Sequence, residues 1–394
     1  MKKSNVYLSV AAVVLLVVSG CSDNGDSGSV AGSSKPSFAT KSADLNTSVV
    51  QEAFNLIDVA DNINTKAPAY KRNTSSRRAA SLVAVAPGLS CDNPGTDTEP
   101  YDCISGTSIE TITYTVEDNV CTYTDRYDDK QCVEDNTPNI NTYDGIDIII
   151  EKYVHNASNE WEKFEKVYQP EAYYSSENSD ENTKEIEKAY SFVETTQYFD
   201  FNETAEGAFD SKLDITGYKA SGKIVTVKMQ GSTVVSTEII RADFMKKTDN
   251  SKSDKTVVSM DGWIEIIDDD YDSGIAAEKY TFTTKRWSEV SENHESVTVS
   301  GKLGSSCIDG LVTFTTEEIA LLNADADEDV LPYDGNMTVS GANSAEASVI
   351  FDGLFANTDS GNTATVTMKG AQSGQTFHSF TELTNSGLCI QVAP

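Results

Sequence analysis

The amino-acid sequence predicts a mainly β protein: an extended antiparallel sheet or meander, with an N-terminal amphipathic helix and a C-terminal β-sandwich-like unit. The first observation is a period of two beyond residue 105, where Ile112, Tyr114 and Val116 alternate with threonines. This alternation places an apolar face and a polar face on one strand. The isoleucines of segment 146–150 repeat the pattern. The second observation is that only nine prolines and short polar loops interrupt such runs, which favours an antiparallel meander with one solvated face.

The composition restricts the classes of partner and of chemistry. The chain has 394 residues and a formal net charge of −32, from 30 Lys and Arg against 62 Asp and Glu. So acidic a surface repels phosphate backbones, and we therefore expect no nucleic-acid partner. There are three histidines, and the sequence contains no His-Glu-x-x-His, no Gly-x-Ser-x-Gly and no phosphate-cradling glycine loop.

The first twenty residues have the character of an export signal. Two lysines precede the mostly apolar run Val6–Val18, which is too short for a typical membrane-spanning helix. The run ends in Leu-Val-Val-Ser-Gly-Cys at positions 16–21, and this segment resembles the lipobox of bacterial lipoproteins. The resemblance implies that residues 1–20 are removed and that Cys21 is acylated, for example with palmitate. The alternative is an ordinary secretory signal in which the cysteine is coincidental.

The residue after the predicted anchor gives an expected location. Position 22 is Ser22 rather than aspartate, and by resemblance to enteric bacterial sorting this implies the outer membrane. Several acyl chains are enough for stable anchoring in lipid, where one chain is marginal. Residues 21–42, rich in serine and glycine, are then expected to form a flexible tether.

Residues 43–80 are predicted to hold the amphipathic helix and a basic segment. Apolar residues recur at spacings of three and four from Leu45 to Ile63, and Ser42 is the expected N-cap. We expect the apolar stripe of this helix to dock against the sheet.

The basic segment follows the predicted helix, and no acidic residue lies between Asp61 and Asp92. Its five cations are Lys66, Lys71, Arg72, Arg77 and Arg78. One interpretation is contact with anionic lipid headgroups. The other is a solvated loop that pairs loosely with acidic neighbours.

Residues 81–291 are predicted to form the central antiparallel region. Gln230-Gly231-Ser232-Thr233 predicts a tight hairpin, and five Asp-Gly pairs at irregular spacing indicate turn chemistry rather than a repeat. Three segments, 161–168, 184–193 and 315–322, are expected as short helices.

Residues 292–394 are predicted to form the C-terminal β unit. Within it, Gly-Asn-Met-Thr-Val-Ser-Gly-Ala at positions 335–342 resembles a β-module of uncharacterised secreted proteobacterial proteins. That resemblance implies no particular activity.

The cysteines predict one anchor and three disulfides. With Cys21 acylated, six remain, and an even number in an exported chain indicates structural disulfides. Six cysteines allow fifteen pairings, and separation along the chain favours three of them: Cys91–Cys103, Cys121–Cys132 and Cys307–Cys389. No Cys-x-x-Cys pair is present, which argues against a zinc site and against redox catalysis.

Two dense groups of aspartates make calcium the one cofactor that the sequence leaves open. Oxygen-rich loops of this kind can bind calcium, although an EF-hand loop starting at Asp268 would place Ser273 and Lys279 where glycine and glutamate are needed. The alternative is a pair of solvated acidic turns. The candidate ligands are Asp268, Asp270 and Asp272 in the first group and Asp325, Asp327 and Asp329 in the second.

The function expected from these observations is non-enzymatic. We expect a lipid-anchored cell-envelope protein with a binding, adhesion or structural role at the outer membrane. Its expected partners are membrane lipid, through the acyl chains, and another envelope protein or a polysaccharide. One alternative is an envelope hydrolase that acts on polysaccharide through a carboxylate pair, and another is a carrier of an apolar ligand in a curved sheet. Three tryptophans, Trp161, Trp263 and Trp287, suggest a carbohydrate platform only if they share a face.

Overall fold

The computed structural model describes most of the chain after residue 34. The described ranges are 35–62, 89–136, 138–156, 159–170, 173–198, 215–268, 272–289, 292–316, 319–322, 331–332, 334–353 and 362–388. The predicted signal peptide, Cys21 and the basic segment lie outside the described residues.

The described chain is built almost wholly from strands. Two α-helices flank them, α1 (Thr47–Asn62) and α2 (Phe380–Thr384), and the short 3-10 helices Ser37–Ala39 and Ala342–Ser344 are also present. The strands are β1 (Gly95–Tyr101), β2 (Ser105–Glu117), β3 (Val120–Asn136), β4 (Asn139–His155), β5 (Trp161–Gln169), β6 (Tyr173–Asn178), β7 (Thr183–Gln197), β8 (Ile215–Gln230), β9 (Thr233–Lys252), β10 (Lys255–Ile267), β11 (Asp272–Glu289), β12 (Glu292–Ser305), β13 (Gly310–Thr316), β14 (Ile319–Leu322), β15 (Asp334–Ser340), β16 (Glu346–Asp352), β17 (Thr363–Met368) and β18 (Gln375–Phe377).

All eighteen strands belong to one sheet. Successive strands along the chain pair antiparallel, with two interruptions: β5 and β6 share the row between β4 and β7, and β13 and β14 share the row between β12 and β15. The predicted antiparallel meander is therefore confirmed. The C-terminal strands continue the same sheet, so the predicted C-terminal unit does not have a separate sheet within the described residues.

One face of the sheet carries the main core, and we call it the helix face because α1 packs there. Directly opposed residues of antiparallel strands project to the same face, so a single row can be followed across the sheet. This row is Ile112, Asp125, Ile149, Tyr168, Glu194, Ala220, Phe244, Gly262, Ala277, Leu303 and Val312. From Ala220 onward, the apolar side chains of the row belong to the core that includes α1.

Helix α1 buries its apolar stripe on the helix face, as the sequence predicts. Phe54 meets Phe351 of β16 edge to face, with ring centroids 6.0 Å apart. The helix begins later than predicted: Asn46, not Ser42, caps it, since the Asn46 side-chain oxygen accepts from the backbone N–H of Val49 at 3.0 Å. Its polar side fixes the C-terminal segment, because the amide of Gln51 donates to the carbonyls of residues 382 and 385.

An N-terminal arm, residues 35–43, links the two faces of the sheet. Phe38 packs against Trp263 on the opposite, outer face. Ser42 then pairs with Leu311 in a parallel bridge, and the chain continues into the core of the helix face. The arm thus contacts the sheet on both sides before α1 begins.

The flexible tether predicted over residues 21–42 is therefore wrong for its last residues. Phe38 and Ala39 are 4% and 1% exposed, and burial of this kind holds a segment in place. The composition around them is rich in serine and glycine, but the packing of Phe38 and Ala39 against the sheet decides the local structure.

Three predicted short helices are strands instead. The segments 161–168 and 184–193 lie within β5 and β7, and 315–322 spans the break between β13 and β14. Each contains an irregularity in its pairing or a break, which disturbs the period of two that identifies a strand. The Gly231-Ser232 hairpin between β8 and β9 is confirmed.

Two disulfides join the two ends of the β1–β3 unit. Cys91 bonds to Cys121, with their Cα atoms 5.6 Å apart, and Cys103 bonds to Cys132, with their Cα atoms 5.4 Å apart. The predicted pairings Cys91–Cys103 and Cys121–Cys132 are wrong. Cys121 and Cys132 lie eleven residues apart on the single strand β3, which at about 3.3 Å per residue separates them by about 36 Å.

The third predicted disulfide is only half described. Cys307, in the turn between β12 and β13, is disulfide-bonded. Cys389 lies outside the described residues, so the pairing of Cys307 with Cys389 stays a prediction.

Candidate functional site

Of the predicted calcium ligands, two lie within the described residues. Asp268 directly follows β10 and Asp272 begins β11. Asp270 and the second group, Asp325, Asp327 and Asp329, are not described. Among the residues that the structure describes, no group of three or more His, Cys, Asp or Glu side chains is arranged to hold a metal ion.

Acidic side chains instead gather on the helix face of β2–β4. Tyr127 of β3 lies between Glu110 of β2 and Asp147 of β4, and Asp125 and Asp129 flank it along its own strand. These four carboxylates, Glu110, Asp125, Asp129 and Asp147, form what we call the carboxylate cluster. Their residues are 2–7% exposed. Opposed side chains of paired strands are about 5 Å apart at Cβ, so four negative groups share a small buried region.

Tyr127 organises the carboxylate cluster from its centre. Its hydroxyl donates to Oε1 of Glu110 at 2.7 Å. All four carboxylates take part in hydrogen bonds, ion pairs or electrostatic contacts within the folded chain. A buried carboxylate without such compensation costs several kcal/mol, and the fold therefore supplies partners for each of them.

Strand β4 turns Ile146, Ile148 and Ile150 away from the helix face, on which Ile149 lies. Asp147 and Glu151 are buried on the helix face, whereas Ile146 on the outer face is 37% exposed. The alternating isoleucines of segment 146–150 correctly predict a strand. They do not predict which of its faces is covered, because that choice depends on the neighbouring strands.

Beside the carboxylate cluster, Glu151 is held in its charged form. Tyr153 and Lys163 donate hydrogen bonds to its carboxylate, the latter at 3.1 Å, and Lys166 lies 4.0 Å away. Burial alone would raise the pKa of Glu151, but these hydrogen bonds and lysine charges hold it below its ordinary value. The same neighbourhood raises the pKa of Tyr114, through burial first and then through the charges of Glu151 and Asp125.

A second acidic feature, the glutamate pair, lies farther along the helix face. Glu187 of β7 and Glu238 of β9 both oppose Thr226 of the intervening strand β8. They are 7% and 3% exposed. Burial, and for Glu187 the charge of Glu238, raises the pKa of Glu187 to about 8. Burial raises the pKa of Glu238 to about 7, against a lowering effect from the Lys228 charge.

The three tryptophans do not form a platform. Trp263 is buried under Phe38 on the outer face, and Trp161 of β5 stacks on His155, with ring centroids 3.8 Å apart. Trp287 lies on β11 and is 36% exposed. Their positions on different parts of the sheet remove the shared surface that a carbohydrate platform needs.

Sequence reasoning missed the carboxylate cluster and the glutamate pair. Dense runs of acidic residues in the sequence do not coincide with either feature. The signal for the cluster was available as Asp125-x-Tyr127-x-Asp129, a period of two within a strand. The sequence holds no comparable signal for the glutamate pair, because only the register of the strands places Glu187 of β7 and Glu238 of β9 on either side of β8.

Comparison with known proteins gives no relative: no family model, no curated protein and no solved structure matches this chain. As for membrane spans, neither helix in the described part of the chain is long and apolar enough to cross a bilayer.

Proposed function

We propose that this protein is a lipid-anchored envelope protein with a non-enzymatic binding, adhesion or structural role at the outer membrane. The observation that supports it best is the N-terminal arm. The chain that follows the predicted anchor passes through the sheet, with Phe38 on one face and α1 on the other. A pull on the anchor would therefore be transmitted directly to the core of the sheet.

The disulfides give independent support for an exported location. Cys91–Cys121 and Cys103–Cys132 fix both ends of the β1–β3 unit. Disulfides of this structural kind persist in oxidising compartments such as the bacterial periplasm and the cell surface.

The anchor is tested by membrane fractionation of the full chain and of Cys21→Ala. We expect the parent protein in the membrane fraction and the variant in the soluble fraction, because acyl chains supply the membrane affinity. Cys307→Ala is the matched control, since it removes a cysteine that lies in the folded body. Membrane association of Cys21→Ala equal to that of the parent would contradict the proposal.

The glutamate pair favours one second candidate, an envelope hydrolase. Two carboxyl groups with raised pKa values are the arrangement in which one carboxylic acid stays protonated near neutral pH and can act as a general acid. Release of reducing sugar from envelope polysaccharide by the parent chain, lost in Glu238→Gln and kept in Glu346→Gln, would support this candidate. Equal release by all three proteins would exclude the pair as its catalytic groups.

The carrier alternative receives less support from the fold. The apolar part of the helix face is covered by α1 and α2, which belong to the same core as the strands. An apolar ligand on this face would have to displace α1 and the contacts of Phe54.

A further inference from the structure

We propose that the slot which receives the N-terminal arm is a strand-binding site, and that a second copy of this chain can fill it with its own arm. The slot lies where β13 begins and β15 has ended. The backbone N–H of Ala43 donates to the carbonyl of Leu311 at 2.9 Å, and the N–H of Leu311 donates to the carbonyl of Lys41, also at 2.9 Å. On the other side, the N–H of Ala342 donates to the carbonyl of Ala43 at 2.7 Å. The arm is therefore hydrogen-bonded on both edges, as a strand within a sheet is.

Glycines shape the slot for this particular segment. A Cβ atom at Gly310 would lie 2.5 Å from the nitrogen of Ala43, and one at Gly341 would lie 2.6 Å from the carbonyl oxygen of the same residue. At Gly274, a Cβ atom would lie 2.4 Å from the ring of Phe38. Side chains do not approach other atoms so closely, so glycine is needed at these positions for the arm to seat. The slot thus recognises the arm by close backbone contact as well as by the burial of its aromatic ring.

The arm pairs in the opposite sense to the strands of the sheet. Ser42 and Leu311 form a parallel bridge, whereas every pairing between the strands that the structure describes is antiparallel. Antiparallel neighbours can be joined by a tight turn, but a parallel neighbour must come from a more distant part of the chain. Lys41 and Asp309, which meet beside this bridge, are 268 residues apart. No turn delivers the arm to the slot, and the same hydrogen bonds form whether the arm belongs to this chain or to another.

Few contacts retain the arm in its own slot. The ion pair between Lys41 and Asp309 joins side chains that are 49% and 68% exposed, and such surface pairs contribute little to stability. The burial of Phe38 against Trp263 contributes about 1.5–3 kcal/mol. The arm is thus held mainly by one aromatic side chain and by a few backbone hydrogen bonds.

A second copy is the occupant that this slot fits. Its arm carries the same aromatic residue and the same alanines at the same spacing, so it forms the same contacts in trans, and exchange of an identical element is a low-cost route to association. The link between the arm and α1 is residues 44–46, of which Asp44 and Asn46 are exposed. A short link of this kind favours exchange of the segment that it carries. Arm and slot both belong to the folded body, so the proposal does not depend on the lipid anchor.

Two variants of the full chain test the exchange when they are mixed in detergent, at about 0.15 M salt to screen their negative charge. The donor carries Gly310→Ala and Gly341→Ala, whose Cβ atoms displace the arm from its own slot. The acceptor carries Phe38→Asp and an affinity tag, and its slot is open because its own arm cannot seat. We expect the acceptor to retain about tenfold more donor than parent chain, because the arm of the parent is held by its own slot at a high effective concentration.

The matched control is the donor with Phe38→Asp added, which keeps the blocked slot and loses the aromatic residue of the arm; the acceptor should not retain it. Gly217→Ala controls for the loss of a strand glycine and should behave as the parent, since the nearest atom there is a side-chain oxygen of Gln197 at 3.2 Å. Equal retention of the donor and of its Phe38→Asp form would overturn the proposal. So would a lack of retention of the donor when both variants keep the circular dichroism spectrum of the parent.

A peptide of residues 35–43 gives a readout that needs no donor variant. Phe38→Ala, a milder change than Phe38→Asp, uncovers Trp263, and we expect the peptide to return the tryptophan emission towards the shorter wavelength of the parent. The effect should saturate by about 1 mM, the effective concentration that a short flexible link supplies. The same peptide with aspartate in place of its phenylalanine should leave the emission unchanged. If the arm peptide does not return the emission, the slot does not bind this segment in trans, and the proposal is wrong.

Discussion

Replacing Glu187 by glutamine should make the sheet more stable at alkaline pH and leave it almost unchanged in acid. Glu187 is 7% exposed and lies on the helix face opposite Thr226, beyond which Glu238 occupies the next strand. Glutamine keeps the shape of the side chain and removes the charge. The variant therefore isolates the cost of holding an ionised carboxylate at this position.

The magnitude follows from the difference in pKa between the two states. The pKa is about 8 in the folded chain, against an ordinary value of 4.5, and at 1.36 kcal/mol per pH unit the difference corresponds to about 5 kcal/mol. The folded state binds the proton more tightly, so stability is highest below about pH 4.5 and falls as the pH rises towards 8. Between about pH 5 and pH 8 we expect about 3 kcal/mol of this loss in the parent and not in Glu187→Gln.

The assay is urea unfolding of both proteins at about pH 5, 6.5 and 8, followed by tryptophan fluorescence. The two curves of free energy of unfolding against pH should converge in acid and separate in alkali, with the variant the more stable. Glu346→Gln, which removes a half-exposed charge of β16 that pairs with Lys369 at the surface, controls for the net charge and should run parallel to the parent. Parallel curves for the parent and Glu187→Gln would refute the assignment of a buried, protonated carboxyl group to this site.

The remaining predictions concern the disulfides, the arm and calcium. Cys103→Ser with Cys132→Ser should lower the free energy of unfolding by about 3.5 kcal/mol, as expected for a loop of 29 residues; an unchanged urea midpoint would contradict it. Phe38→Ala should cost about 3–5 kcal/mol and shift the emission of Trp263 to longer wavelength, and unchanged emission would mean that the arm does not cover that tryptophan. If the predicted aspartate groups bind calcium, the thermal midpoint should fall on addition of chelator, and an unchanged midpoint removes the calcium hypothesis.

The sequence predicts the class of structure because alternation is a local property. Each run of period two, such as Ile112, Tyr114 and Val116, becomes part of an antiparallel strand. The amphipathic stripe of α1 likewise needs only its own spacing to be recognised. Irregularities defeat this reasoning: β7 has a shift of pairing between Tyr190 and Val193, and its disturbed period is mistaken for that of a helix.

Long-range features could not be predicted from the spacing of residues. Short separations favour Cys121 with Cys132, but the strand between them holds the two sulfurs far apart. The correct partners are set by the β1–β2–β3 register, which places Cys91 beside one end of β3 and Cys103 beside the other. Loop-closure entropy grows slowly with length, so a loop of about thirty residues costs little more than one of twelve.

The orientation of β4 ties the acidic features to the rest of the fold. A shift of one residue in its pairing would bury Ile146, Ile148 and Ile150 and expose Asp147, Ile149 and Glu151. The net gain is two buried isoleucines, each of which would contribute about 1.5–3 kcal/mol. The observed register lacks this contribution to stability, so other interactions must outweigh the free energy of burying those isoleucines. The disulfide from Cys103 to Cys132 fixes the adjoining strand β3, and the hydrogen bond from Tyr127 to Glu110 stabilises the acidic side. On this reasoning the burial of the acidic side chains of β2–β4 is set by the register of the sheet and by these long-range bonds, and not by the hydrophobic pattern of β4 alone.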